Sequence, residues 1–127
     1  MKRFLDSREL IRRLKEGSPI EIEGDMVRLP RFSEIKEASP TEFGAKGDHE
    51  LIVAKARTAT WCLWPIDRKA KFSAKDSEKF LVILEAIQGS IPQKPVKGWI
   101  LTTALVDDDC RKVLQGGGHR INRISAG

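Results

Sequence analysis

No apolar run in this sequence approaches the roughly 20 residues that a membrane-spanning helix needs. The amino terminus, Met1-Lys2-Arg3-Phe4-Leu5-Asp6, turns polar too soon for a signal peptide. The expectation is a cytoplasmic protein with no membrane partner. Cysteine is scarce: Cys62 and Cys110 stand far apart, neither has a C-x-x-C neighbour, and both sit in apolar segments where a buried free thiol is the ordinary outcome. Neither a disulfide framework nor a structural zinc site is indicated. Histidine is equally scarce, and His49 and His119 lie apart from other ligand types, so both read as surface or strand-end residues. Gly116-Gly117-Gly118 is followed by no Gly-Lys-Ser/Thr, which makes it a helix stop and not a phosphate loop. There is no internal repeat and no low-complexity tract.

What is present suits one folded domain, residues 1–127. Apolar residues make up 40% and charged residues 32%, a globular balance with Phe, Leu, Ile and Val spread along the chain. The net charge of +5, with a pI near 9.4, favours an anionic partner, of which nucleic acid is the commonest.

Ser7 to Glu16 carries Leu10, Ile11 and Leu14 at helical spacing, and Gly17-Ser18-Pro19 ends it. Two alternating runs from Ile20 to Leu29 flank a Glu23-Gly24-Asp25 turn and predict a hairpin. Phe32, Ile35 and Ala38 suggest a short helix that Ser39-Pro40 breaks. His49–Ala56 and Thr58–Ile66 are rich in β-formers and predict an antiparallel hairpin turning at Arg57-Thr58. Ser73 and Asp76 have capping-box spacing, and Phe80, Leu81, Leu84 and Ile87 form one stripe of a helix that ends at Gly89-Ser90-Ile91-Pro92. A buried strand over Trp99–Leu105, a short helix through Cys110, Val113 and Leu114, and a last strand around Ile121–Ile124 complete an α, β, α, β order. Asp107-Asp108-Asp109 reads as acids complementing the dipole at that short helix's start.

Phosphodiester hydrolysis requires converging carboxylates around a metal ion and a nearby cation. A hairpin turning at Arg57-Thr58 pairs Asp48 with Asp67, since the two are equidistant from that turn. Asp67 and Lys69 are two apart and share a face in an extended strand, while Arg68 points the other way. The cluster Arg68, Lys69, Lys71, Lys75 and Lys79 is then a candidate phosphate track beside them. Trp61, Trp64 and Trp99 lie on the expected strands, where core packing is the usual fate of an indole and one at a rim can stack on a base.

Four stretches together resemble a known family: Gly47-Asp48-His49-Glu50-Leu51-Ile52-Val53; Trp61-Cys62-Leu63-Trp64-Pro65-Ile66-Asp67-Arg68-Lys69; Lys75-Asp76-x-x-Lys79-Phe80-Leu81; and Lys97-Gly98-Trp99-Ile100-Leu101-Thr102-Thr103. Over residues 44–124 the sequence is similar to the core of PD-(D/E)xK nucleases, nearest to the Mrr-like restriction and archaeal ATPase-associated branches. The resemblance implies an α/β, restriction endonuclease-like fold, a mixed central sheet flanked by helices. It implies a metal-dependent nuclease with Asp48 and Asp67 as ligands of Mg2+ (or Mn2+) and Lys69 orienting the attacking water. Arg68, Lys71, Lys75 and Lys79 would bind nucleic acid, DNA first, and a partner ATPase or a homodimer would be the protein assembly. A helix acid often supplies a further ligand in this family, and Glu9, Glu34 and Glu42 all qualify. Two features depart from the family pattern: Pro65 interrupts the strand before the motif, and Arg68 fills a spacer that is usually apolar.

A different register, Val53-Ala54-Lys55, has valine in place of the acid and would make a dead nuclease; the pairing of Asp48 with Asp67 favours the first. The rival function is a non-catalytic module of the same fold that binds nucleic acid or a partner protein. A third reading takes residues 1–30, helix plus hairpin, as a winged-helix-like remnant, although the helices that would enter a groove are missing before the hairpin.

Overall fold

The computed structural model describes residues 7–17, 19–22, 25–27, 31–45, 50–66 and 70–123. Along the chain run α1 (Ser7–Glu16), β1 (Ile20–Ile22), β2 (Asp25–Val27), β3 (Glu34–Ala38), a 3-10 turn (Pro40–Phe43), β4 (Leu51–Lys55), β5 (Thr60–Ile66), α2 (Ala74–Ser90), β6 (Val96–Thr102), α3 (Asp108–Gly116) and β7 (Arg120–Arg123). β1 and β2 form a two-stranded sheet of their own, with Ile22 opposite Asp25. β3 to β7 form one mixed sheet in chain order: β3, β4 and β5 antiparallel, then β6 and β7 parallel to β5.

Strand β4 is buried on both faces, which explains why it reads as an unbroken apolar run. Leu51 points with Cys62, Ile66 and Ile100 into a core closed by Phe80, Ile83, Leu84 and Ile87 of α2 and by Cys110 and Leu114 of α3. Its neighbour Ile52 points the other way, with Ala54, Leu63, Trp99 and Leu101, onto Leu10 and Leu14 of α1. Each such buried aliphatic side chain contributes about 1.5–3 kcal/mol. Helix α2 starts where its capping box predicts: the Ser73 backbone N–H donates to the Asp76 carboxylate at 2.9 Å. It lies close on β6 because position 98 is glycine; a Cβ there would collide with the Phe80 ring and a Leu84 methyl.

Three expectations need correction. Residues 34–38 form the edge strand β3 and not a helix. The spacing of Ile35 and Ala38 suits a strand between two covered faces: Ile35 pairs with Ala54 on the α1 side, and Ala38, paired with Leu51, is buried on the other. Tertiary pairing to β4 thus overrides a weak local period. Second, Pro65 does not interrupt the strand: β5 reaches Ile66, the end that the β-forming run Thr58–Ile66 predicts. Its ladder with β4 ends at Leu63, so no β4 acceptor waits for the N–H that proline lacks. Third, the strand expected over Trp99–Leu105 is β6, Val96–Thr102, because pairing with β5 begins at Thr60↔Val96. Beyond it the Thr102 hydroxyl accepts the Ala104 N–H at 3.0 Å and turns the chain away.

Candidate active site

Asp48, Asp67, Arg68 and Lys69, the residues that the sequence nominates for chemistry, lie outside the described residues, as does His49. The strands that flank them are described. β4 and β5 pair Ile52 with Leu63, Val53 with Cys62, Ala54 with Trp61 and Lys55 with Thr60, so the hairpin is centred between Arg57 and Thr58, where the sequence places its turn. The loop closes with the Ala56 N–H donating to Ala59 O at 2.9 Å.

At the carboxyl end of β5 the chain is tied to its neighbour. Ile66 O accepts the Thr103 N–H at 3.1 Å; Phe72 N–H donates to Leu105 O at 2.7 Å; Asp107 N–H donates to Phe72 O at 3.2 Å. Ile66 and buried Phe72 are thus both tied to the chain that leaves β6 after buried Thr102. This is the carboxyl end of the parallel strands β5 and β6, the end at which ligands usually sit in open α/β sheets.

The described cations differ in their freedom. Exposed Lys71 forms a 2.9 Å salt bridge with half-buried Asp107 at the surface, an interaction worth about 0–1 kcal/mol. Lys75 and Lys79 stand one turn apart on α2, both exposed. The acids nominated as a further, helix-borne ligand are engaged elsewhere, and Glu34 opens strand β3 and not a helix. Glu9 pairs with Arg12 and, at 3.1 Å, with Arg13, and hydrogen bonds from these two guanidiniums, Arg12 first, lower its pKa. Glu34 pairs with Lys55 at 3.3 Å, and the Glu42 carboxylate accepts the Ser39 N–H at 3.1 Å. Among the described residues no three His, Cys, Asp or Glu side chains gather as a metal site. No family model, curated protein or solved structure matches the chain.

The cysteines behave as the sequence indicates: both are buried free thiols, and burial pushes Cys62 up to about 12. His119 is better placed than its isolation in sequence suggests. Its Nδ1 accepts the Gly98 N–H at 3.0 Å, and burial, then Lys97, lowers its pKa. Trp99 is buried, and Trp64 packs against Phe72 and Phe80 at 6.0 and 5.5 Å between ring centroids. Trp61 is only half-buried and faces Lys97 and Arg120. Sequence reasoning missed that grouping, since Trp61, Lys97 and Arg120 become neighbours only through two parallel crossovers.

Proposed function

We propose that the chain is a metal-dependent nuclease of the PD-(D/E)xK type, hydrolysing phosphodiester bonds in nucleic acid. The observation that carries the reading is the β4–β5 register: its centre between Arg57 and Thr58 is the one from which Asp48 and Asp67 are equidistant. The element order adds support, with a helix, three antiparallel strands, a helix and a strand parallel to the third, making a mixed central sheet flanked by helices. No β4 ladder is interrupted by Pro65, so that departure from the family pattern does not break the hairpin.

Two aspartates offer the hard oxygen donors that Mg2+ or Mn2+ takes. Bound there, a divalent ion would polarise the phosphate and make a water a stronger nucleophile at neutral pH. In this reading Asp48 and Asp67 hold the ion, the Lys69 ammonium orients the attacking water, and exposed Lys75 and Lys79 neutralise substrate phosphates.

The two roles separate experimentally. Asp67→Asn should abolish Mn2+ binding by calorimetry and cleavage of plasmid and single-stranded substrates, with folding retained. Lys69→Ala should keep the ion and lose about 10²–10⁴ in rate. A wild-type protein that neither binds Mn2+ nor cuts any substrate would instead be a non-catalytic module of the fold.

A further inference from the structure

The parallel ladders of β5, β6 and β7 set Trp61 beside Lys97 and Trp99 beside Arg120. Residues in register point to the same face, and Trp99 and Trp61 both belong to the α1 side of the sheet. The two indoles meet at 6.0 Å with their planes tilted by 57°. The Arg120 guanidinium lies 5.2 Å from the Trp99 ring centroid and 5.9 Å from that of Trp61, and the Lys97 ammonium is 5.9 Å from Trp61. Trp99 is buried and donates its indole N–H to Asn122 Oδ1 at 2.8 Å, so it is a fixed platform. Trp61 is half-exposed, and Lys97 and Arg120 are exposed. Among the described residues no carboxylate forms an ion pair with either cation.

A guanidinium steadied against two aromatic rings keeps its N–H edge available and loses little conformational freedom when an anion arrives. A half-exposed indole next to two cations that no described carboxylate neutralises matches the chemistry of a single strand, whose phosphates need cations and whose unpaired bases expose stacking faces. A duplex hides those faces. We propose that Trp61, Lys97 and Arg120 form a binding site for single-stranded nucleic acid, with the cations on a phosphate and a base against Trp61. The site lies at the opposite end of β5 from Ile66, roughly 16 Å along the strand. It rests on the nucleic-acid part of the proposed function but not on cleavage.

The test uses the whole chain in EDTA, so that no cutting intervenes, and fluorescein-labelled oligothymidylate read by anisotropy over a range of KCl. Trp61→Ala should weaken binding roughly five- to a hundredfold, whereas Trp61→Phe, which keeps a ring, should stay within a few fold. Lys97→Ala and Arg120→Ala should each flatten the plot of log affinity against log salt by about 0.7. If Trp61→Ala does not fold, Lys97→Glu, a change at an exposed position, must still weaken binding by at least about tenfold. Wild-type affinity in Trp61→Ala, or no binding by the wild type at low salt, overturns the site even if the protein cuts DNA. Binding in EDTA with these sensitivities but no cleavage in Mn2+ leaves the site standing and removes the nuclease.

Discussion

His119 and Gly98 illustrate how a single contact ties chemistry to packing. Gly98 has no side chain because α2 occupies that space, and its N–H finds an acceptor in a ring nitrogen 21 residues away. The bond requires Nδ1 unprotonated, and burial together with Lys97 lowers the His119 pKa, so the folded state favours the neutral ring. The sign follows from linkage. A histidine held below its free value near 6.5 contributes stability that is present above that value and lost as pH falls below it, where the unfolded chain binds the proton more readily. Urea midpoints of the wild type and His119→Gln at pH 7.5, 6.0 and 5.0 should therefore differ most at pH 7.5 and converge toward pH 5.0. A constant difference would mean that the proton is not linked to folding.

At the scale of elements, α2 is the piece whose start, stripe and end the sequence states most completely. The Ser73 hydroxyl donates to the Asp76 carboxylate at 3.1 Å, and the same carboxylate takes the Ser73 N–H. At the far end the Gln88 amide donates to Ile91 O and Lys94 O and accepts the Val96 N–H, which leads the chain straight into β6. Ser73→Ala should cost about 1 kcal/mol, measured as a lower urea midpoint with an unchanged m-value. A loss of several kcal/mol would mean that Ser73 also supports the connection through Phe72. By contrast β3 carries almost no signal of its own. It is a charged edge, with Glu34, Lys36 and Glu37 all exposed, and its conformation is dictated by the hydrogen-bonding side of β4.

For the whole molecule, the net charge of +5 is distributed unevenly in usefulness. Several cations are already neutralised: Lys71 by Asp107, Lys55 by Glu34, and Arg12 and Arg13 by acids on their own helix. Duplex affinity should fall with rising salt, and Lys75→Ala and Lys79→Ala should each reduce the slope by about 0.9, with Lys71→Ala giving a smaller change. Filter binding or anisotropy with a fixed duplex at several KCl concentrations checks this. An effect of Lys71→Ala equal to the others would mean that the Asp107 bridge opens when nucleic acid binds.

The features legible in the chain before folding are local or symmetric. The capping box and stripe of α2, the glycine stop after α3 and the centre of the β4–β5 hairpin follow from neighbours in the chain or from a turn between adjacent strands. The buried thiols and the indoles of Trp64 and Trp99 follow from apolar context. Tertiary structure alone decided that residues 34–38 extend a sheet, because hydrogen bonds to β4 outweigh a three-residue period. It alone set Pro65 beyond the end of the β4 ladder, so that the proline costs β5 no hydrogen bond to β4. It alone gathered Trp61, Lys97 and Arg120, because the register of parallel strands is set by helices packing across a crossover and leaves no mark in the spacing of the residues it brings together.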